Sequence, residues 1–160
     1  MKTRILFALL LLALPFSGRA QDATPDNGQA QSLQKVTLHL GKATLNTEIA
    51  ATPAQQEVGL MNRPHLADND GMIFLLPNIT TATFWMKNTL IPLSIAFLDK
   101  NGVILEIHDM KPLDETITRS DSNQVAYALE ANLHWFALNS IKPGDKIDPA
   151  PVTLVKTAKP

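Results

Sequence analysis

The sequence predicts a mostly β protein, a compact antiparallel β sandwich or barrel with two short helices. Three observations support this fold class. Apolar and polar side chains alternate over short segments, which is the period of a half-buried strand. Gly, Pro, Asn and Asp separate these segments at short intervals, as turns do. Only two stretches carry the signal of a helix start.

The first part of the domain is predicted as a hairpin followed by a helix. Residues 36–40 and 43–49 alternate around a turn at Gly41-Lys42. Residues 52–55, Thr-Pro-Ala-Gln, have the pattern of a capping box at the start of a helix. The threonine side chain can cap the helix, the glutamine side chain can accept from the threonine N–H, and proline is favoured at the first helical position because no N–H is needed there. We expect this short helix to end near residues 59–61.

The rest of the domain is predicted as short strands with one further helix. In chain order we expect strands at 71–76 and 81–87 separated by Pro77-Asn78, a hairpin of 93–98 and 103–108, a polar loop at 111–123, a strand at 125–130, a helix from its cap at Asn132 to Ser140, and a last strand after the turn at 142–145. The Asp-Lys-Asn-Gly turn at 99–102 is the strongest hairpin signal. Residues 152–155 are a candidate edge strand.

The first twenty residues have the layout of a secretory signal peptide. Lys2 and Arg4 form a positive region, residues 5–14 are apolar, and residues 18–20 place small side chains at a cleavage site before Gln21. The alternative is a membrane anchor, which is less favoured because ten apolar residues span only about 15 Å as a helix. We therefore expect an exported protein, periplasmic or extracellular.

Four regions are expected along the chain: a signal peptide at 1–20, a flexible linker at 21–34, one β-rich domain at 35–155 and a tail at 156–160. The linker is small, polar and aperiodic, so it cannot bury enough apolar surface to offset the entropy cost of ordering. A mature chain of about 140 residues is long enough for an apolar core without disulfides.

Composition excludes several classes of site and partner. The chain has no cysteine, which excludes disulfides, thiolate nucleophiles, zinc–thiolate sites, iron–sulfur clusters and a cysteine-linked lipid. Without Lys2, Arg4 and Arg19, 11 of the 14 basic residues remain against 15 acidic ones, a net charge of −4. We expect no nucleic-acid binding, no cofactor and no stable membrane insertion after cleavage.

Five motifs follow one another along the domain. They are Gly-Leu-Met-Asn-Arg at 59–63, Asp-Gly-Met-Ile-Phe at 70–74, a stretch at 84–99 that begins Phe-Trp-Met-Lys-Asn-Thr, Leu-Glu-Ala-Asn at 129–132 and Ile-Lys-Pro-Gly-Asp at 141–145. In order and spacing they resemble the domain of unknown function 192 family. The resemblance covers residues 47–147 and implies a jelly-roll-like β fold, often exported, with no established activity. Ser94 stands where the family usually has Asp, so a role that needs a carboxylate there lacks support.

Trp85 and Lys87 are candidate ligand-binding residues on one strand. Alternation places them on the same face as Thr81 and Thr83, opposite the core. An indole, an ammonium and hydroxyls offer a stacking surface and hydrogen-bond donors to a polar ligand. The alternative is that Trp85 packs at the edge of the core while Lys87 extends to water.

Arg63 and Glu130 are charged residues beside apolar neighbours, which indicates partial burial. Because a buried charge needs a partner and these two have opposite signs, one interpretation is a structural ion pair that includes Lys87. The other is a pocket that binds a small anionic or polyhydroxyl ligand with these side chains and Asn88.

Glu106 and His108 are the weaker candidates for chemistry. They lie two residues apart on one strand, so a carboxylate and an imidazole share a face and offer a metal ligand pair or a proton relay. No histidine has the spacing of a metal motif, and nucleophile and phosphate-loop motifs are absent from the sequence.

Three functions stay open at this point. The favoured one is an exported module that binds a small ligand or a glycan. The second is an accessory protein that binds another envelope protein through an apolar patch or a sheet edge. The third is a hydrolase that uses carboxylates and His108. Whether the protein is an enzyme is left undecided, with a binding protein favoured.

Overall fold

Nine strands and two short helices make up the part of the chain that the computed structural model describes, residues 28–151 and 153–154. The strands are β1 (Lys35–Leu40), β2 (Ala43–Ala50), β3 (Asp70–Thr80), β4 (Thr83–Phe84), β5 (Leu93–Leu98), β6 (Ile104–Met110), β7 (Thr118–Arg119), β8 (Val125–Asn132) and β9 (Ile147–Asp148). The helices are α1 (Pro53–Val58) and α2 (Trp135–Leu138). The predicted mostly β fold with two short helices is confirmed.

Seven strands form one curled sheet, a half-barrel, in the order β6-β5-β8-β3-β2-β1-β9. β4 and β7 form a separate two-stranded sheet. All named pairs are antiparallel except β2 and β3. These two are parallel because the connection through α1 returns the chain to the end of the sheet where β2 began. This pair departs from the predicted antiparallel arrangement, and the jelly-roll topology stays a prediction.

Both faces of the seven-stranded sheet are covered, so its central strands are buried on two sides. On the face that we call the helix face, Leu45, Ile73 and Leu129 pack with Trp135 and Phe136 of α2. On the opposite face, which we call the loop face, the strands carry Met72, Phe74, Ile95 and Phe97, and the segments between strands contribute Leu60, Ala82, Met86 and Ile91. The functional candidates lie on the loop face.

The local sequence signals near the start of the domain are confirmed. β1 and β2 form the expected hairpin, with Leu40 opposite Ala43. The capping box of α1 is complete: the Thr52 hydroxyl accepts from the Gln55 N–H at 3.3 Å, and the Gln55 side chain accepts from the Thr52 N–H at 3.1 Å. α1 ends at Val58, close to the expected end.

β3 is longer than the sequence predicts. It continues through Pro77-Asn78 to Thr80, where we expected a break between two strands. The pairing with β8 loses its regular register between Leu75 and Thr80, which accommodates a proline that cannot donate a backbone hydrogen bond. Of the predicted strand 81–87, only Thr83–Phe84 is paired.

The predicted helix cap at Asn132 is wrong. β8 extends through Asn132, whose side-chain amide donates to the carbonyl of Ala67 at 2.8 Å and so fastens the loop before β3. α2 begins only at Trp135, after His134 in the left-handed region with φ 64°. The strand alternation therefore continues past the point where the asparagine suggested a helix.

The two ends of the described chain differ from the sequence interpretation. Residues 28–34, the end of the expected flexible linker, hydrogen-bond to the domain through Gln31 and Leu33. Of the candidate edge strand at 152–155, the described Thr153 and Leu154 lie in a helical turn, and the Thr153 N–H donates to Ala150. The predicted signal peptide lies outside the described residues. Among those described, no helix has the length and apolar character to span a membrane.

Candidate functional site

A cavity of about 370 Å³ opens on the loop face between α1, the end of β3 and the β4 segment. Apolar side chains dominate its walls, including Val58, Leu60, Phe74 and Phe84. Cavities of roughly 300–1,000 Å³ with apolar walls and a few polar groups are typical of small-molecule sites. The cavity is therefore the part of the described structure where we look for function.

Glu130 is the buried charged residue of this cavity. It lies on β8, between Met72 of β3 and Ile95 of β5, and is only 4% exposed. Among the described residues, its carboxyl group has no hydrogen-bond or ion-pair partner. Burial raises the pKa of Glu130 from 4.5 to about 8, so the group is a neutral acid at pH 7.

The register of the sheet places Glu130 in a row of five residues on the loop face. The row is Glu48, Met72, Glu130, Ile95 and His108, on β2, β3, β8, β5 and β6 respectively. Since adjacent strands lie about 4.8 Å apart, Glu48 and His108 are each roughly 10 Å from Glu130. Both have partners of their own, and Glu130 is the member of this row whose charge has none.

Arg63 pairs with Glu48, so of the two interpretations the structural ion pair between Arg63 and Glu130 is wrong. Two guanidinium nitrogens of Arg63 donate to the two Glu48 oxygens at 2.8 and 2.9 Å, and one also donates to the Gln31 carbonyl at 2.6 Å. The Leu33 N–H donates to Glu48 at 2.8 Å. This pair fastens the segment 28–34 to the domain.

Glu48 itself was not among the predicted site residues. It alternates with Thr44 and Asn46, which are exposed, so the periodicity of β2 indicates a solvent position. The parallel neighbour β3 and the segment carrying Arg63 cover it instead. Only the tertiary structure shows this burial.

Trp85 and Lys87 contact each other, but only Trp85 lines the cavity. Trp85 lines it and is 40% exposed, whereas Lys87 is not a lining residue. The Lys87 ammonium lies 5.2 Å from the centroid of the Trp85 ring, a cation–π distance. The backbone at Asn88 is left-handed (φ 54°), and its carbonyl accepts from the Asn62 N–H at 2.8 Å. Of the five predicted ligand residues, the structure brings Trp85 and Glu130 to the cavity.

Thr89 is a polar lining residue that the sequence reasoning missed. It is buried, and its hydroxyl donates to the Lys87 carbonyl at 3.3 Å, which leaves the oxygen lone pairs available as acceptors. Its place in the Lys-Asn-Thr motif at 87–89 was the available signal. Periodicity carried no information there, because the chain after Phe84 is not a strand.

Glu106 and His108 form a contact that fastens a loop. The His108 Nε2 lies 2.6 Å from the Glu106 carboxylate, which also accepts from the backbone N–H groups of Asp121 and Ser122 at 3.0 Å. Burial works to raise the pKa of Glu106, but these hydrogen bonds outweigh it and hold the pKa below its ordinary value. No group of three potential metal ligands occurs in the described part of the chain.

Ser94 is joined to a carboxylate on the neighbouring strand. Its hydroxyl donates to Asp109 at 2.5 Å and accepts from the His134 backbone N–H at 2.8 Å, while the His134 ring nitrogen lies 3.1 Å from Asp109. A carboxylate is thus present at this corner of the sheet although residue 94 is serine. The carboxylate sits between hydroxyl and imidazole, whereas a catalytic triad needs the imidazole against the hydroxyl. The cluster ties the start of α2 to β5 and β6.

Replacement of Arg63 is expected to destabilise the domain strongly. Arg63→Met leaves the Glu48 carboxylate buried without its partner, so the free energy of unfolding in urea should fall by about 3–5 kcal/mol. Adding Glu48→Gln should restore part of the loss, since an amide keeps an acceptor for Leu33 without a charge. A loss below about 1 kcal/mol in Arg63→Met would contradict the role of this pair.

Replacement of Glu130 is expected to stabilise the protein in a pH-dependent way. In the unfolded chain Glu130 ionises above its ordinary pKa of 4.5, whereas in the folded protein it keeps its proton until the pH approaches 8. Because ionisation then favours the unfolded chain, the native protein loses stability as the pH rises between these two values. Glu130→Gln avoids this loss. At pH 7 its free energy of unfolding in urea should exceed that of the native protein by about 3 kcal/mol, whereas at pH 4 the two should differ little. The exposed Glu115→Gln is the control. Equal effects at both pH values would contradict the burial of an unpaired carboxyl.

Comparison with known proteins places the chain in a family. The model of the domain of unknown function 192 family, described as "Uncharacterized ACR, COG1430", matches residues 36–149. A search of curated proteins finds no match. The structure is similar to that of a protein of unknown function from Novosphingobium aromaticivorans DSM 12444, with 39% identity, a TM-score of 0.68, and coverage of 72% of this chain and 86% of that chain.

A second similar structure is that of a proposed transcription regulator from Sinorhizobium meliloti 1021. It shares 33% identity with a TM-score of 0.67, and the match covers 75% of this chain and 95% of that chain. The family match spans most of the described residues and includes Glu130 and Trp85. The chain therefore belongs to the domain of unknown function 192 family.

Proposed function

We propose that the protein binds a small molecule in the loop-face cavity, with Glu130 as the residue that recognises its polar group. The observation that supports this most is a buried carboxyl group without a partner at the wall of an apolar cavity. Burying such a group costs stability, and uncompensated polar groups of this kind concentrate at functional sites. A glutamine or an apolar side chain at this position would serve the core better, so a ligand is the simplest reason for the acid.

The walls of the cavity favour a ligand with an apolar body. Phe74, Phe84 and Trp85 supply aromatic surface, and Leu60 adds an aliphatic side. No Lys, Arg or His is among the described residues of the lining, so the anionic ligand that the sequence suggested is not favoured here. Hydroxyl and amide groups at Asn78, Thr80, Thr81 and Thr83 keep a sugar ring among the ligands to be tested.

Export remains part of the proposal. The layout of residues 1–20 supports secretion, which would bring the cavity into contact with molecules of the envelope or the surroundings. A hydrolase is less supported, because Glu106–His108 fastens a loop and Ser94, Asp109 and His134 are not lining residues.

A second candidate function is binding to another envelope protein. Four large apolar side chains are exposed on two loops that hydrogen-bond to each other: Trp85, Leu90, Leu113 and Ile117. The Leu113 N–H donates to the Thr89 carbonyl at 3.0 Å, and the Met86 N–H donates to Asp114 at 2.9 Å. An apolar patch of this kind is typical of an interaction surface, although one of its four residues, Trp85, also lines the cavity.

A fragment screen by thermal shift tests the cavity proposal. The library contains sugars, amines, alcohols and carboxylic acids, and hits are compared on Thr83→Trp, which places an indole at an exposed lining position. Thr44→Trp is the matched control, since Thr44 is an exposed strand residue outside the lining. A fragment at about 100 times its Kd should add about 2.7 kcal/mol of stability to the native protein and to the control.

The same fragment should lose its effect on Thr83→Trp. A library without hits, or hits that stabilise all three proteins equally, would contradict ligand binding in the cavity. If the screen gave no hits and an envelope protein bound to this protein at Trp85 and Leu113, the second candidate function would be supported instead.

A further inference from the structure

We infer that the polar group of the ligand is a cation, most simply a protonated amine, that forms an ion pair with Glu130 inside the cavity. This inference rests on the proposed function of the cavity and names the chemical class of the ligand. It comes from the charges of the lining, from its hydrogen-bonding groups and from its aromatic rings.

The charges of the lining are all of one sign. Glu130 and Glu57 are the ionisable side chains that line the cavity within the described residues, and both are acidic. On the sheet, the neighbours of Glu130 on its own face are Met72 and Ile95, which carry no charge. The next groups along the row, Glu48 and His108, are engaged with Arg63 and Glu106. Once Glu130 loses its proton, the cavity therefore carries negative charge, and no basic side chain among its described lining residues balances it.

The hydrogen-bonding groups at the buried wall are acceptors. An ionised Glu130 carboxylate only accepts hydrogen bonds, and the described residues supply no donor to it. The Thr89 hydroxyl already gives its proton to the Lys87 carbonyl, so it also presents lone pairs. An ammonium group has up to three donors and no acceptor, which matches this wall. An alcohol makes only a neutral hydrogen bond here, which is weaker than a charge-assisted one.

The aromatic rings add a second attraction for a cation. Phe74, Phe84 and Trp85 line the cavity, and ring faces attract ammonium groups, as in aromatic cages for alkylated amines. The Trp85 ring is already engaged by the Lys87 ammonium, 5.2 Å from its centroid, so Phe74 and Phe84 are the rings that remain for the cation of the ligand. The apolar body of the ligand would pack against the same rings.

Three matched probes separate this inference from the proposed function. They are 2-phenylethylamine, 2-phenylethanol and 3-phenylpropionate, which share a phenylethyl body and end in a cation, a neutral hydroxyl and an anion. Isothermal titration calorimetry measures each probe on the native protein, on Glu130→Gln and on Glu115→Gln as an exposed acidic control. We expect the amine to bind at least about tenfold more tightly than the alcohol, as a charge-assisted bond predicts.

Glu130→Gln should abolish the preference for the amine and leave the affinity of the alcohol nearly unchanged, whereas Glu115→Gln should bind like the native protein. Because Glu130 must lose its proton to pair with an ammonium, amine affinity should rise by up to about tenfold per pH unit between pH 6 and 8. The alcohol should show no such rise.

Preferred binding of the alcohol or the propionate would overturn the inference of a cation and leave the cavity proposal standing. Tight amine binding that Glu130→Gln does not change would also overturn it, because the cation would then be held elsewhere. No heat from any probe would count against the cation as well, while the cavity itself is judged by the fragment screen on Thr83→Trp and Thr44→Trp.

Discussion

The unpaired carboxyl of Glu130 and the apolar sheet around it are the constraint on which the site depends. At the two ends of the row across the loop face, Glu48 is neutralised by Arg63, and His108 contacts Glu106, whose carboxylate also accepts from two backbone amides. Glu130 lies between them with Met72 and Ile95 as its neighbours. The same burial that costs stability gives the carboxyl a raised pKa and makes it responsive to a charge brought by a ligand.

The fold keeps this carboxyl in place through close packing of the central strands. Gly71 of β3 faces the backbone carbonyl of Glu130, and a Cβ at this position would collide with that carbonyl and with Leu45. The parallel pair β2–β3 brings Glu48 into the same row, and α1, which joins these strands, forms one wall of the cavity. The mixed sheet, the ion pair of Arg63 and the cavity are thus consequences of one crossover connection.

Local signals in the sequence predicted most of the fold and only part of the site. Three elements depend only on residues close in sequence and could therefore be predicted from it. They are the hairpin at 36–49, the capping box of Thr52 and the turn at 99–102. The path of β3 through Pro77 depends on its pairing with β8, and the extension of β8 to Asn132 depends on its pairing with β5, where Leu93 lies opposite Asn132. Trp85 and Glu130 were found from motif and apolar context, whereas Glu48 and Thr89 become buried only through contacts distant in sequence.

The most direct measurement of the central claim is a pH titration of the Glu130 side-chain carboxyl by ¹³C NMR, with Glu130→Gln used to assign the signal. An unpaired carboxyl at the wall of an apolar cavity should titrate near pH 8, and its chemical shift should move to that of the ionised form when 2-phenylethylamine is added at pH 7. A titration near the ordinary value of 4.5 would show that Glu130 is solvated or paired in solution. That result would contradict the site described above.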